Sequence, residues 1–357
     1  MSAGTAAVVL LAALWPQSPQ ARFDAGAAAL RSGELETAER EFAAVVKLEP
    51  RNVGALGNLG VVYSRQGLPA RAVEVWERAL PLAPSDAGLR VNLGLAYLRL
   101  EKYAKAREVL ESVTTAQGKE LYATATLYAG DAARALKLLT QLPPAPGVLY
   151  ALALAQLKLG HRAEAAATFE HLLDGTLKAD QVRFLKGKAF YESGLFDESV
   201  AEFTAITSPT PGLALELGKV YVSLRDAAKA EEHLRAAVAE APRESEANYF
   251  LGALLAQAGR AAEGLPFLDS AARARDDFWG AHFYRGRALL ALGRAKEAVG
   301  ELETARRLNA REPLIDFQLS RALAAAGRNG ESKAAANRFK AAQAARRQAE
   351  QEALVLR

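Results

Sequence analysis

The chain has 357 residues, half of them hydrophobic, so it carries ample material for a folded interior. It has no cysteine, which excludes disulfides, cysteine-bound metals and a cysteine nucleophile. Its net charge of +4 is small for this length, whereas sequence-independent binding to nucleic acid requires a dense basic surface. We therefore expect no specific nucleic-acid partner.

The first 21 residues differ from the rest of the chain. An apolar run, Ala6 to Leu14, precedes a proline-containing stretch, as in secretory signal peptides, although residues 1–5 carry no basic side chain. The run is shorter than the roughly 20 residues of a membrane-spanning helix, and no other segment approaches such a span. We interpret residues 1–21 as a leader for export to a bacterial periplasm or cell envelope. The alternative is an apolar leader without a targeting role, in a cytoplasmic protein.

A sequence pattern then recurs at a spacing of 34 residues. Asn58–Tyr63 reads Asn-Leu-Gly-Val-Val-Tyr, and Asn92–Tyr97, which lies 34 positions later, reads Asn-Leu-Gly-Leu-Ala-Tyr. A related pattern occurs at Leu217–Tyr221 and again 34 positions later at Leu251–Leu255. The leucine, glycine and tyrosine of this pattern lie on one face of a helix. Each copy therefore predicts an amphipathic first helix.

Each copy continues with the pattern of a second helix. In the second copy, Gly67 suits the left-handed residue that ends a helix. Ala72 and Trp76 then lie one turn apart on the next helix, which Pro84 ends. Because Gly60 and Ala72 are small, the two helices can approach closely, and Trp76 fills the space beside them. The pattern predicts a helix hairpin.

Ten copies follow one another along the chain, the fourth of them shortened and degenerate. The spacing falls below 34 at the fourth, fifth and seventh starts, where the proline-rich stretches 143–147 and 208–212 occur. We therefore divide the repeats into residues 22–145 and 146–330. Residues 331–357 predict a basic helix that caps the array, the alternative being a surface for acidic partners or lipid head groups. The predicted starts are near residues 19, 53, 87, 116, 146, 180, 211, 245, 279 and 313.

This 34-residue hairpin, with Leu-Gly-x-x-Tyr, then Ala-x-x-x-Phe and then Pro, resembles the tetratricopeptide repeat family. The resemblance covers about residues 19–345. It implies an all-α, right-handed superhelical solenoid of antiparallel helix hairpins, which stack because one hairpin alone cannot bury its apolar faces. It also implies that the chain binds other proteins or peptides.

The residues offer no constellation for catalysis or for a bound cofactor. No phosphate-binding loop and no nucleophile-elbow motif occur. The carboxylates fall on the polar faces of second helices, and no catalytic domain remains once the repeats are subtracted. We expect no enzymatic activity, no cofactor and no metal site. The histidines, which form no pair at metal-ligand spacing, are His161, His171, His233 and His282.

In the family that the chain resembles, the first helix of each hairpin lines a concave groove. The fifth and ninth positions of a repeat lie one turn apart on that helix. From the sixth repeat onward the fifth position is mostly aromatic and the ninth mostly basic, which suits an extended peptide with acidic and apolar side chains. Earlier repeats instead carry Arg31, Arg65 and Arg99 at the thirteenth position. The candidate groove residues are Phe184, Lys188, Lys219, Tyr249, Phe283, Arg287, Phe317 and Arg321.

These residues also have a purely structural interpretation, in which the aromatic side chains pack neighbouring first helices and the basic ones are simply solvated. We predict a non-catalytic scaffold or adaptor that binds extended protein segments in the groove. The alternative is a regulatory or substrate-presenting subunit of a separate enzyme or envelope-biogenesis complex.

Overall fold

The computed structural model describes residues 18–173 and 177–355, which fold into helices joined by short turns, with no strand among them. This confirms the all-helical class expected from the repeat. The apolar run Ala6–Leu14 lies outside the described residues, and the first helix begins at Pro19. Within the two described ranges, no helix has the length and apolar character needed to cross a membrane.

The chain divides into two compact units, residues 1–175 and 176–357. In its described residues, the first unit has ten helices that form five hairpins, with a 3-10 turn at Leu80–Leu82. They are α1 (Pro19–Ser32), α2 (Leu35–Leu48), α3 (Val53–Arg65), α4 (Pro69–Ala79), α5 (Ala87–Arg99), α6 (Tyr103–Leu110), α7 (Ala116–Tyr128), α8 (Ala132–Leu139), α9 (Pro146–Lys158) and α10 (Arg162–Leu173).

The described part of the second unit has the same construction, again with five hairpins. Its helices are α11 (Ala179–Glu192), α12 (Phe196–Thr204), α13 (Leu213–Ser223), α14 (Ala227–Glu240), α15 (Ser245–Gln257), α16 (Ala261–Ala274), α17 (Trp279–Ala291), α18 (Ala295–Leu308), α19 (Pro313–Ala325) and α20 (Asn329–Val355). The first helices of the ten hairpins begin within two residues of the starts predicted from the repeat.

The close approach expected inside each hairpin is confirmed at Gly60 and Trp76. Trp76 is 2% exposed, and a Cβ added to Gly60 would lie 2.3 Å from the indole Nε1. The indole N–H donates to the carbonyl oxygen of Gly57 over 3.0 Å, which fixes the ring against α3. A glycine therefore sets the distance between the two helices. The same contact recurs between Gly94 and Leu110, Gly187 and Phe203, Gly218 and Leu234, Gly252 and Leu268, and Gly286 and Leu302.

The turn inside each hairpin places one residue in the left-handed backbone region, as at Gly67, whose φ is 75°. Glu101 and Arg225 occupy the same position in the third and seventh hairpins, with φ values of 56° and 61°. Side chains with a Cβ rarely adopt this conformation, so both residues cost conformational free energy. The other hairpins have glycine here: Gly33, Gly67, Gly130, Gly160, Gly194, Gly259, Gly293 and Gly327.

Within each unit, a first helix packs against its own second helix, the preceding second helix and the next first helix. The first helices therefore form a continuous layer in each unit. We call the layer formed by α11, α13, α15, α17 and α19 the first-helix row. It carries the candidate groove residues.

The last helix, α20, is 27 residues long and completes the tenth hairpin. Arg338 of α20 donates from Nε to Oδ1 of Asp316 on α19 over 2.8 Å, and the ring of Phe339 lies 5.2 Å from that of Phe317. The basic tail predicted at residues 331–357 is thus continuous, up to Val355, with a helix that starts at Asn329.

Candidate functional site

The structure places every candidate groove residue on the first-helix row, with the aromatic and basic positions one helical turn apart. In the sixth repeat the Lys188 ammonium lies 6.0 Å from the centroid of the Phe184 ring. In the tenth repeat the Arg321 guanidinium lies 5.9 Å from that of Phe317. The spacing read from the sequence therefore brings these two cations over their aromatic partners, which is a favourable cation–π arrangement. Lys219, which follows Leu215 by one turn, lies 5.5 Å from the centroid of the Tyr191 ring instead.

The cations of the sixth and seventh repeats are held by carboxylates of their own row. Lys219 Nζ lies 3.2 Å from Glu216 Oε2 and 3.1 Å from Glu246 Oε1, and Lys188 Nζ lies 3.8 Å from Glu216 Oε1. The charges of the two lysines and the two glutamates therefore cancel. This part of the row offers little net charge to a ligand.

Lys219 is the central member of that network, and its side chain is only 13% exposed. Burial alone would lower the pKa of Lys219, but the carboxylates of Glu246 and Glu216 outweigh that effect and raise the pKa above its ordinary value. The ammonium therefore remains charged at neutral pH. Its role in the structure is to join α13 to α15.

The cations of the ninth and tenth repeats have different surroundings. The Arg287 guanidinium lies 5.0 Å from the centroid of the Tyr284 ring and 5.7 Å from that of Phe283. Arg321 accompanies Phe317 and donates to Oε1 of Gln318 over 3.2 Å. Across the described ranges, no carboxylate oxygen comes within 4.0 Å of either guanidinium. These two positive charges are uncompensated.

The aromatic residues at the fifth position differ in exposure. Phe283 is 5% exposed and its ring lies 6.3 Å from Trp279, so it belongs to the interior. Phe317, in contrast, is 38% exposed. Beside Arg287 the accessible ring is that of the half-buried Tyr284, one position after Phe283.

Tyr249 lies at the centre of an aromatic cluster formed by α15, α17 and Phe278, the residue before α17. Its ring is 4.6 Å from Phe278, 5.0 Å from Phe250 and 5.8 Å from Tyr284. Burial raises the pKa of the Tyr249 hydroxyl, and Tyr284 and Glu246 add to the effect. Tyr249 thus helps to pack neighbouring first helices, although it also borders a pocket.

In the first unit, the arginines at the thirteenth position join successive repeats. Arg65 donates from Nη1 to the carbonyl oxygen of Leu30 over 3.1 Å, and Arg99 donates to Oγ of Ser64 over 3.0 Å. Both bonds span 35 positions, which is one repeat and one residue. These two arginines therefore stabilise the packing of each hairpin on the preceding one.

Three members of the site were missed by reasoning from the sequence: Tyr284, Glu216 and Glu246. Tyr284 could have been found, because it follows Phe283 in an aromatic doublet like that of Tyr249 and Phe250. The two glutamates could not, because ordinary solvated glutamates have the same helical spacing.

The histidines and carboxylates of the described residues are dispersed among the hairpins. Within residues 18–173 and 177–355, no group of three or more histidine, aspartate or glutamate side chains is placed to hold a metal ion. His282 is engaged structurally, since Nδ1 lies 2.7 Å from Glu301 Oε2 on the next helix and Nε2 lies 3.1 Å from the carbonyl oxygen of Asp276.

Comparison with known proteins identifies partial structural similarities. The chain resembles three solved structures of MamA, two of which carry the labels MSR-1 and AMB-1. The first is 22% identical with a TM-score of 0.41 and covers 46% of this chain and 96% of its own. The second is 22% identical with a TM-score of 0.41 and covers 45% and 97%. A third, an RS-1 double mutant, is 14% identical with a TM-score of 0.43 and covers 48% and 98%.

A comparison with curated proteins finds no match. A family model described as tetratricopeptide repeat matches residues 23–87, 91–141, 150–214 and 215–277. A second tetratricopeptide repeat model matches residues 279–304. These matches cover well over half of the chain and follow the hairpins of both units. The chain therefore belongs to the tetratricopeptide repeat family.

Proposed function

We propose that the protein is a scaffold whose first-helix row holds an extended segment of a partner protein. The repeat family and the continuous layer of first helices support this role. The observation that carries the proposal is the contrast along the row. Lys188 and Lys219 are neutralised by their own neighbours, whereas Arg287 and Arg321 have no carboxylate beside them.

The chemistry of the ninth and tenth repeats defines the kind of segment that would fit. A guanidinium forms its strongest hydrogen bonds with carboxylates, so acidic side chains of the partner would pair with Arg287 and Arg321. Tyr284 and Phe317 lie beside these cations and would receive apolar side chains. The proposed ligand is therefore an extended segment that alternates acidic and apolar residues.

The test is capture of the partner from the native host by the wild-type protein and by the double variant Arg287→Glu/Arg321→Glu. Both positions lie on surfaces without an internal ion pair, so the variant should keep its helical content by circular dichroism. We expect it to lose the proteins that the wild type recovers.

The matched control reverses two exposed charges on a second helix of the same unit, in the variant Lys296→Glu/Arg307→Glu. It changes the net charge equally but leaves the first-helix row intact. We expect it to recover the same proteins as the wild type. Equal recovery by the wild type and by the variant reversed at Arg287 and Arg321 would contradict the proposal.

A regulatory or substrate-presenting role would use the same row. It would be favoured if the captured protein is an enzyme whose rate changes when the scaffold is added. An unchanged rate would favour simple positioning of the partner.

A further inference from the structure

A pocket of about 420 Å³ lies in the second unit, where α13 ends beside α15 and α17. Its volume falls within the usual range of small-ligand sites. Three aromatic side chains contribute to its wall, those of Tyr249, Phe250 and Tyr284, and Arg225 and Gln257 contribute polar groups. The pocket is thus apolar in its lining and positively charged at one side.

Arg225 occupies a backbone position that favours glycine. Its φ of 61° lies in the left-handed region, and glycine fills the equivalent turn in eight of the hairpins within the described residues. A residue with a Cβ is strained there, and such strain often marks a functional position. The sequence keeps a long cationic side chain at the one turn that borders this pocket.

The charge of Arg225 is available to a ligand. Within the part of the chain that the structure describes, no carboxylate oxygen lies within 4.0 Å of its guanidinium. The adjacent Asp226 is engaged by Lys229, accepting from its backbone N–H over 3.1 Å and lying 3.7 Å from its Nζ.

The remaining polar groups of the pocket also favour an acceptor. Gln257 donates from Nε2 to the hydroxyl oxygen of Tyr284 over 3.2 Å. The Tyr284 hydroxyl is then free to donate its own proton to another group. Tyr284 and Arg225 thus line the same pocket, and each can donate to an oxygen of a bound ligand.

We propose that the pocket binds a two-residue unit of the partner segment, a large apolar side chain followed by an acidic one. The apolar side chain would fill the space between the aromatic rings, and the carboxylate would pair with Arg225. This deepens the proposed function, on which it rests, and gives the scaffold a specific anchor at the seventh to ninth repeats.

The test uses four fluorescent peptides in which a Gly-Ser frame presents Phe-Asp, Leu-Asp, Phe-Asn or Ala-Asp. Fluorescence polarisation with the full chain should show that Phe-Asp and Leu-Asp bind about tenfold more tightly than Phe-Asn and Ala-Asp, as expected for one charged hydrogen bond or one buried apolar side chain. Equal affinity for Phe-Asp and Phe-Asn would contradict the proposed acidic residue. Equal affinity for Phe-Asp and Ala-Asp would contradict the proposed large apolar residue.

The decisive variant is Arg225→Gly, because it removes the cation and also relieves backbone strain. A loss of binding with unchanged helical content by circular dichroism then reflects the lost cation. We expect its affinity for Phe-Asp to fall about tenfold to the level of Phe-Asn, whose own affinity stays unchanged. Undiminished binding of Phe-Asp would overturn the proposal.

Two further variants separate this proposal from the one on which it rests. Glu101→Gly relieves the same strain in the first unit and should bind all four peptides as the wild type does. Arg321→Glu, on α19 and outside the lining of the pocket, should keep the preference for Phe-Asp, even if it binds the longer partner less well. If Arg287→Glu/Arg321→Glu still recovers the partner while Arg321→Glu keeps the preference for Phe-Asp, the proposed groove is contradicted and the pocket is supported.

Discussion

The contact between Gly60 and Trp76 provides a quantitative test of the hairpin packing. Replacing Gly60 with alanine adds a Cβ that would lie 2.3 Å from Nε1, 2.4 Å from Cε2 and 2.8 Å from Cδ1 of Trp76. These distances are far below van der Waals contact. Trp76 is 2% exposed and its indole N–H is bonded to Gly57, so the ring can move away only by disturbing its buried packing and breaking this hydrogen bond.

The expected cost combines three effects. Overpacking a filled interior costs about 1–3 kcal/mol. Displacing the indole from the Gly57 carbonyl removes a hydrogen bond worth about 1 kcal/mol. Alanine returns about 1 kcal/mol through its higher helix propensity. We therefore expect Gly60→Ala to lower the free energy of unfolding of the first unit by about 1–3 kcal/mol, and Gly60→Leu to lower it further.

Gly57→Ala is the matched control, because it makes the same chemical change on the same helix. Its new Cβ would lie 3.5 Å from Leu89 Cδ2, which is ordinary contact. It should therefore stabilise the unit by about 0.5–1 kcal/mol through helix propensity alone. Urea unfolding followed by circular dichroism and tryptophan fluorescence measures both variants. Equal stability of the two would refute the packing and the repeat register derived from it.

Three further predictions concern strain, charge and pH. Arg225→Gly and Glu101→Gly should each raise the free energy of unfolding by about 0.5–1 kcal/mol, since relief of the left-handed strain outweighs the added freedom of the unfolded chain; a lower urea midpoint would count against this. Lys219→Met should destabilise the second unit by about 1–3 kcal/mol because it removes the nearer cation from the carboxylate of Glu216, which is 9% exposed and then keeps only Lys188 at 3.8 Å, whereas the control Lys229→Met, at an exposed pair, should change stability by less than about 0.5 kcal/mol. Because the pKa of Lys219 is raised on folding, its contribution to stability is fully present below the unfolded value of about 10.4 and is lost as the pH rises through the higher folded value. The difference in stability between wild type and Lys219→Met should therefore shrink as the pH rises through the folded value, and a difference that grows there would contradict this prediction.

The hairpins could be predicted from the sequence because their packing depends on side-chain size at fixed spacing. Gly60 and Trp76 are 16 positions apart, and a small residue facing a large one gives the same interhelical contact in hairpin after hairpin. Local helix periodicity and the turn glycines agree with this contact. Side-chain size, helix periodicity and turn residues therefore all predict the same fold.

The electrostatics of the row could not be predicted in the same way. Lys188, Lys219, Arg287 and Arg321 occupy equivalent ninth positions and look alike in the sequence. Whether each is neutralised depends on acids of neighbouring repeats, such as Glu246, which is 27 positions from Lys219. Those pairings depend on side-chain rotamers and on the offset between helices, neither of which a repeat pattern contains.

The exposure of the aromatic side chains at the fifth position could not be predicted for a related reason. Phe283 and Phe317 have the same place in their repeats, yet the first is interior and the second is 38% exposed. Phe317 lies in the last hairpin, so no further first helix follows it within the described residues. Arg225 did carry a signal, since it interrupts the run of turn glycines, but only the structure shows that this turn borders a pocket.

Hydrogen exchange of the full chain, with and without its captured partner, tests the central claim most directly. If the first-helix row of the second unit holds the partner, backbone amides of α17 and α19 should gain protection, while those of the second helices α16 and α18 stay unchanged. Protection confined to second helices, or to the first unit, would contradict the account.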